Sequence, residues 1–370
     1  MSFFDAVLYA FIVTVCIQSV YYLLIFSRFA FAKESNPSLK NIPISVVVCA
    51  KNEAENLSRL IPKLLEQNYK QFEIVLINDA SSDETLEVME FFKENHSNIK
   101  IVNIVNNEAF WGNKKYALTL GIKAASNNFL LFTDADCVPN SKDWVASMSS
   151  HFTNKKSIVI GYGAYDVQPK SFLNKLIRFE TLLTAIQYFS YAKIGLPYMA
   201  VGRNLAYRKE LFFEANGFIN HLKIRSGDDD LFVNEVATGK NTSICFAKNS
   251  FTTSQPKTTF KEWFNQKRRH VSTAKHYKFK HKALLTIFYV SQILFWILSI
   301  ILLIATFKPI LVISLMTFRL IIFYVVINYS SKKLEETGLI LLLPFIELFL
   351  IATQFSIFIS NLISKPSHWK

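Results

Sequence analysis

Phe129-Leu130-Leu131-Phe132-Thr133-Asp134-Ala135-Asp136-Cys137-Val138-Pro139 is an apolar run that stops on two carboxylates one residue apart. Its first half reads as a buried β-strand. Positions i and i+2 of a strand share a face, so Asp134 and Asp136 are expected to point the same way. They do so at the strand's C-terminal end, where open α/β sheets bind ligands. Two hard carboxylate oxygens suit Mg²⁺ or Mn²⁺ carrying a diphosphate. A surface turn after a strand uses the same residue types, so the meaning of the triplet depends on the rest of the chain.

The 370 residues are 51% hydrophobic, and the mean hydropathy is positive. That is too apolar for one soluble domain and calls for soluble and membrane parts. The formal net charge of +13 raises nucleic-acid binding as a possibility. The basic residues, however, gather beside hydrophobic segments, at residues 261–282 and at Lys332-Lys333. That placement fits cytoplasmic flanks of membrane helices and contact with anionic membrane lipids, not nucleic acid. Trp263 and Phe264 beside Arg268 and Arg269 give a slight aromatic–basic interleaving, and the adjacent membrane span speaks against it. Cys16, Cys49, Cys137 and Cys245 are scattered without C-x-x-C spacing, which fits a reducing compartment and argues against structural zinc.

Residues 3–26 are almost wholly apolar and are followed by Arg28, Lys33 and Lys40. A signal peptide is the rival reading, but there is no basic n-region and no small-residue cleavage site. Residues 1–28 are therefore expected to form an N-terminal transmembrane helix. Residues 41–270 show α/β patterning, with strands expected at 44–50, 73–78 and 101–105. Helices are expected at 53–66, 83–94 (capped by Ser82 or Asp83) and 113–125. This alternation predicts a largely parallel sheet with right-handed crossovers. Residues 172–192 fit either a core helix or an amphipathic helix on the membrane surface. A basic interfacial linker at 271–283 precedes three more transmembrane helices within 284–363, at 284–307, 309–328 and 339–362, each with the roughly 20 residues a bilayer needs. The basic flanks predict a multi-pass integral membrane protein, with both termini outside and the soluble domain cytoplasmic. Lys365 and Lys370 are a mild exception. Arg319 and Glu347 lie mid-span in adjacent helices and are expected to pair, since each alone is costly in hydrocarbon.

The soluble region carries an ordered set of motifs: Ala50-Lys51-Asn52-Glu53; Asn78-Asp79; Gly112-Asn113-Lys114; Asp134 and Asp136; Gly202-Arg203-Asn204; Asp228-Asp229-Asp230; and Gln266-Lys267-Arg268-Arg269-His270. The set resembles the family 2 inverting glycosyltransferases of GT-A fold over residues 41–270. That family includes lipid glucosyltransferases and the poly-N-acetylglucosamine, hyaluronan and cellulose synthases. The resemblance implies an α/β GT-A domain, a Rossmann-like nucleotide-sugar-binding sheet, joined to α-helical transmembrane segments. It implies that Asp134 lies near the nucleotide ribose and that Asp136 holds the metal. Glu53, with Ala50, Lys51 and Asn52, and Asp79 would take ribose and uracil, and Lys114 would lie near the phosphates. Locally, Glu53 and Asp79 could equally be helix N-terminal carboxylates, and Lys114 a solvated helix lysine.

Three adjacent acids raise one another's pKa values, and one so raised can take an acceptor proton. The family pattern assigns the base to Asp229, with Asp228 its neighbour and Asp230 the second choice. Residues 266–270 resemble the family's Q-x-x-R-W element, which closes over diphosphate and acceptor. Gln266, Arg268, Arg269 and His270 are its candidates here, and a guanidinium can grip diphosphate in a fork that lysine cannot copy. His270 stands where the family has Trp and stacks less well on a sugar, which weighs against chain elongation. A polybasic membrane flank reads the same residues equally well.

The expected activity is inverting, Mg²⁺- or Mn²⁺-dependent transfer of a sugar from a nucleotide-sugar donor, UDP-linked first. The acceptor would be a lipid, polyprenyl carrier or lipid-linked glycan at the cytoplasmic membrane face. A processive polysaccharide synthase of the same family is the near alternative. A non-catalytic membrane lipid-binding protein is the more distant one.

Overall fold

The computed structural model describes residues 2–35, 37–38, 41–105, 114–224 and 226–364. Lys40, Gly112, Asn113, Lys365 and Lys370 lie outside the described residues. In chain order the elements are α1 (Phe3–Val20), a π-helical turn (Tyr21–Phe26), α2 (Ser27–Ala30), β1 (Ile44–Ala50), α3 (Ala54–Leu65), β2 (Phe72–Asp79), α4 (Thr85–Asn95), β3 (Ile99–Ile104), α5 (Lys114–Ala124), β4 (Phe129–Asp134), β5 (Cys137–Pro139), α6 (Trp144–Ser150), β6 (Ile158–Ile160), β7 (Gly163–Tyr165), α7 (Phe172–Lys193), β8 (Leu205–Arg208), α8 (Lys209–Glu214), α9 (Asp230–Val236), β9 (Thr242–Ile244), β10 (Thr252–Ser254), α10 (Phe260–Val271), α11 (Phe279–Ile304), α12 (Pro309–Lys333) and α13 (Leu343–Ile363). They divide into two compact units.

The first unit comprises Glu34–Asn174 and Pro197–Trp263. Its seven-stranded sheet has the order β3-β2-β1-β4-β8-β6-β9, and a three-stranded sheet has the order β5-β10-β7. The strands β3, β2, β1 and β4 run parallel, as the alternation of strands and helices demands. The sheet as a whole is mixed, because β8 runs against the other six strands, and it is largely parallel as expected. β8 pairs antiparallel with both β4 and β6. It begins immediately after Gly202–Asn204, with Leu205 opposite Phe132, and runs back down the sheet. The reversal thereby sets Gly202 beside the carboxyl end of β4.

β1 alternates faces. Val46 and Val48 are fully buried in one core with Leu57, Leu60, Ile61 and Leu64 of α3. Those four leucine and isoleucine positions follow the helical spacing of an apolar stripe, and burying each is worth about 1.5–3 kcal/mol. α5 covers another stretch of sheet. Gly121 permits the close approach, since a Cβ there would come within 2.1 Å of Ile77 Cδ1. Register puts Cys49 opposite Asp134 and Ala50 opposite Asn78, so the carboxyl ends of β1, β2 and β4 form one edge.

The second unit comprises Met1–Lys33, Lys175–Leu196 and Phe264–Pro366. Four of its helical stretches are long and apolar enough to cross a membrane: Phe3–Ala30, Phe279–Ile304, Pro309–Lys333 and Ile340–Ile363. Arg319 and Glu347 do pair, Arg319 Nη1 donating to Glu347 Oε2 at 2.9 Å and Nη2 to Oε1. Gln18 Oε1 accepts from Arg319 Nη2 at 2.9 Å, and Gln292 Nε2 donates to Glu347 Oε1 at 3.2 Å. The guanidinium also lies over the rings of Phe295 and Phe323. All four stretches thus meet at one satisfied polar cluster. From Leu176 to Tyr191, α7 is buried at most positions, and Arg178 pairs with Glu336 at 2.7 Å. This favours the core helix over the surface amphipathic one.

Candidate active site

The site is built where the carboxyl ends of β1, β2 and β4 meet the loops around Gly202 and Asp228. Strand β4 stops at Asp134, and Ala135 and Asp136 form a turn before β5. The two carboxylates therefore do not share a strand face as expected. The turn nevertheless keeps them together: Asp134, Asp136 and Cys137 each bring a ligand atom within 4.8 Å of the others. The paired carboxylates fit a hard divalent cation. The Cys137 sulfur instead lies 2.9 Å from Ser254 Oγ. Burial, then the charges of Asp136 and Asp134, pushes its thiol well above the ordinary value. Asp136 stands at the open mouth of this group. Desolvation by the surrounding walls, then the Asp134 and Glu53 charges, raises its carboxyl above the usual range.

Lys114 opens α5 among the described residues and bridges two carboxylates. Its Nζ lies 2.7 Å from Asp134 Oδ1 and 3.1 Å from Asp228 Oδ2. Burial alone would pull this ammonium down, and the two carboxylates more than reverse it. A solvated lysine is thereby excluded. Asp229 caps the N-terminus of α9. Its Oδ2 accepts from the Gly202 N–H at 2.6 Å and its Oδ1 from the Asp230 N–H at 2.7 Å. Burial, then the charges of Asp228 and Asp230, pushes the Asp229 carboxyl up to about 8. Asp230 turns to its own helix, accepting from the Leu231 N–H at 2.7 Å. Lys114, Asp134, Gly202, Asp228 and Asp229 line one pocket, with Cys49, Phe132 and Tyr207 among its inner walls.

At the β1–β2 end, the Asn52 N–H donates to Ser81 Oγ at 3.0 Å, and Asn52 Oδ1 accepts from the Ser82 N–H at 2.8 Å. Asn52 stitches two loops, and both loops use positive φ, at Asn52 (56°) and Ala80 (50°). Asp83 accepts from the Thr85 N–H at 3.1 Å and the Ala54 N–H at 3.3 Å. The N-cap of α4 is Glu84, one residue beyond the expected cap. Glu53 precedes α3 and accepts from the Asn56 side chain. Ala50 is buried and Lys51 half-buried. Asp79 is only 4% exposed, and its Oδ2 has no partner among the described residues. Burial raises its carboxyl, and the charges of Lys51 and Lys114 work against that.

Gln266, Arg268, Arg269 and His270 fall in the other unit, on α10. Arg268, expected at the substrate, is committed to the end of α13. It donates to Ser360 O at 3.1 Å, Ser364 O at 2.7 Å and Asn361 Oδ1 at 3.1 Å, satisfying carbonyls that a helix C-terminus leaves open. Lys267 pairs with Glu180 of α7.

Two residues with no role from the sequence prove central to the geometry. Arg203 donates to Ala164 O at 3.0 Å and Ser254 Oγ at 3.3 Å, with its guanidinium 4.3 Å from the centre of the Tyr165 ring. Lys115 is buried beside Lys114. The place of Arg203 between Gly202 and Asn204 was a signal for the first, whereas a lysine pair at a helix start gave none for the second.

Residues 45–214 match the family model described as Glycosyl transferase family 2. Over 126 residues the chain is 34% identical to a poly-beta-1,6-N-acetyl-D-glucosamine synthase of Staphylococcus epidermidis, a match covering 33% of this chain and 29% of that one. A synthase of the same description from Staphylococcus aureus (strain COL) is 32% identical over 130 residues, covering 33% and 30%. The match thus spans less than a third of the length of either relative. A solved mannosyltransferase from Pyrobaculum calidifontis, in complex with GDP-Man and Mn²⁺, shares the fold with a TM-score of 0.59 at 17% identity, over 90% of this chain and 100% of that one. With a GT-A-like mixed sheet and this match over its strands β1 to β8, residues 45–214 are similar to the family 2 glycosyltransferase domains.

Proposed function

We propose that the protein is an inverting glycosyltransferase that moves a sugar from a nucleotide-sugar donor to an acceptor hydroxyl at a membrane, with Asp229 as the base. One observation carries this reading. A buried carboxylate with a raised pKa, Asp229, lines the same pocket as Asp134, whose side chain lies with that of Asp136 in one group. Inverting transfer needs those two functions together, a base for the acceptor and a holder for the departing diphosphate.

Asp134 and Asp136 would hold a divalent cation, which when bound neutralises the diphosphate. Lys114 keeps Asp134 and Asp228 in place and adds positive charge where the phosphates would lie. Asp79 offers to an N–H donor a buried oxygen that has no partner among the described residues. Uracil supplies such a donor, which fits the UDP-linked sugars that the resemblance implies. The Gly202 and Asp230 N–H groups orient Asp229, and its raised pKa gives it useful basicity near neutral pH. Gln266, Arg269 and His270 would close over the diphosphate, a role that rests on the resemblance.

The four candidate spans favour a lipid or lipid-linked acceptor, and the basic flanks of the spans favour the cytoplasmic side. A second reading, polymer synthesis from UDP-N-acetylglucosamine, is favoured by the named activity of the two synthases. The test uses detergent-purified protein with a panel of UDP- and GDP-sugars, with Mn²⁺ or EDTA, and with or without a total lipid extract. Nucleotide release that requires both metal and lipid supports the proposal. Release that ignores EDTA would remove the cation from it, and release that ignores lipid would remove the lipid acceptor.

A further inference from the structure

Lys115 follows Lys114 in the first turn of α5, yet the two lysines reach different targets. Lys115 is 1% exposed. Its Nζ donates to the carbonyl oxygens of His221 (2.8 Å), Ile224 (2.9 Å) and Ser226 (2.8 Å). An ammonium has three N–H donors and no acceptor, and three converging carbonyls match that number. All three belong to the segment that runs into Asp228. Only Gly227 stands between Ser226 and Asp228. It adopts φ +92°, and a Cβ there would lie 2.5 Å from Leu231 Cδ1, so the link itself has little freedom once the clamp is made.

We propose that Lys115 is a positioning residue, which grips the backbone at His221, Ile224 and Ser226 and so fixes the geometry in which Asp228 and Asp229 meet the acceptor. The proposal rests on the reading of Asp229 as the base. An apolar residue at this position would fill the space without the cost of burying an ammonium. Two lysines in the first turn of a helix also oppose its dipole. Both costs are accepted only where the donors are used. Successive helical residues point about 100° apart, so one turn of α5 serves two ends. Lys114 ties the carboxylates of Asp134 and Asp228 together, and Lys115 holds the main chain that presents the triplet. Burial lowers the Lys115 ammonium to about 8, while the charges of Asp228, Asp230 and Asp229 work against that.

The test compares the full-length wild type with Lys115→Met and with Asp229→Asn, in detergent, using UDP-N-acetylglucosamine, Mn²⁺ and lipid extract. Lys115→Met keeps the length and removes the donors. A misplacement of about 1 Å can cost on the order of 100-fold in rate, so kcat should fall roughly 10- to 100-fold. KM for the donor and the Kd for UDP should change by less than about threefold. Amide hydrogen exchange over residues 221–230, which needs no donor, should speed up while α5 itself is unchanged. Lys115→Gln keeps two donors and, if Lys115→Met does not fold, is judged by the same criteria. Unchanged kcat or unchanged exchange in the folded variant overturns the clamp. So does a parallel fall of kcat, UDP affinity and melting temperature, which marks a merely structural lysine. Transfer undiminished in Asp229→Asn would sink the base reading instead, whatever Lys115 does.

Discussion

Asp229 is proposed as the base because of what surrounds it. Two N–H donors hold its oxygens, while burial and two neighbouring acids push its pKa to about 8. Below that pH the carboxyl is protonated and cannot accept a proton. The profile of kcat/KM, which reports the free enzyme, should therefore rise about tenfold per pH unit up to roughly 8 and level off above it. Asp228→Asn removes the second cause of the shift and should move the rising limb to lower pH. A limb at an ordinary carboxylate pKa in the wild type would contradict this account of the base. Gly202→Ala is a second test at this scale. Its Cβ would sit 3.2 Å from Asp229 Oδ2, so kcat should fall several-fold while UDP binding holds. Equal kcat in the variant would show that the Gly202 contact does not set the base. Asp134, Asp136 and the acid triplet stood out as candidates in the sequence through their order along the chain with the other motifs, since a surface turn or a solvated loop uses the same residue types. Lys115 did not, since nothing in a lysine pair says which carbonyls lie opposite, and the G-R-N triplet marked Arg203 without saying which ring and carbonyl it meets.

At the scale of elements, the β3-β2-β1-β4 side of the main sheet was readable because β1, β2 and β4 are largely apolar runs of six to eight residues separated by helices. The other half was not. β6, β8 and β9 have three or four residues each, too few to show a period, and their pairing is decided by tertiary contacts. The four candidate spans announced themselves by length and hydropathy, and Arg319 and Glu347 by their cost. Removing one partner of a buried pair leaves a charge uncompensated, worth about 3–5 kcal/mol. Arg319→Leu should accordingly lower the melting temperature in detergent, and adding Glu347→Leu should recover much of the loss. Strictly additive losses would mean that the two residues act independently, despite their contact. Gln18 and Gln292, which complete the cluster, were unread in the sequence because a glutamine in an apolar helix is tolerated without a partner more readily than a charge.

At the scale of the molecule, the chain passes repeatedly between its two units, leaving the first for residues 175–196 and again from residue 264. Product size separates the two forms of the proposal. A single transfer gives one discrete product, which the His270 position favours. A polymer synthase gives a ladder that lengthens with time, and a ladder would show that His270 does not prevent elongation. The most direct measurement for the central claim is sugar transfer from UDP-linked donors by wild type and Asp229→Asn, at matched UDP occupancy determined by calorimetry. The account predicts that the variant binds UDP as the wild type does and transfers at least about 100-fold more slowly, the scale of a lost general base. Undiminished transfer by the variant, or no transfer from any donor by folded wild type, would contradict it.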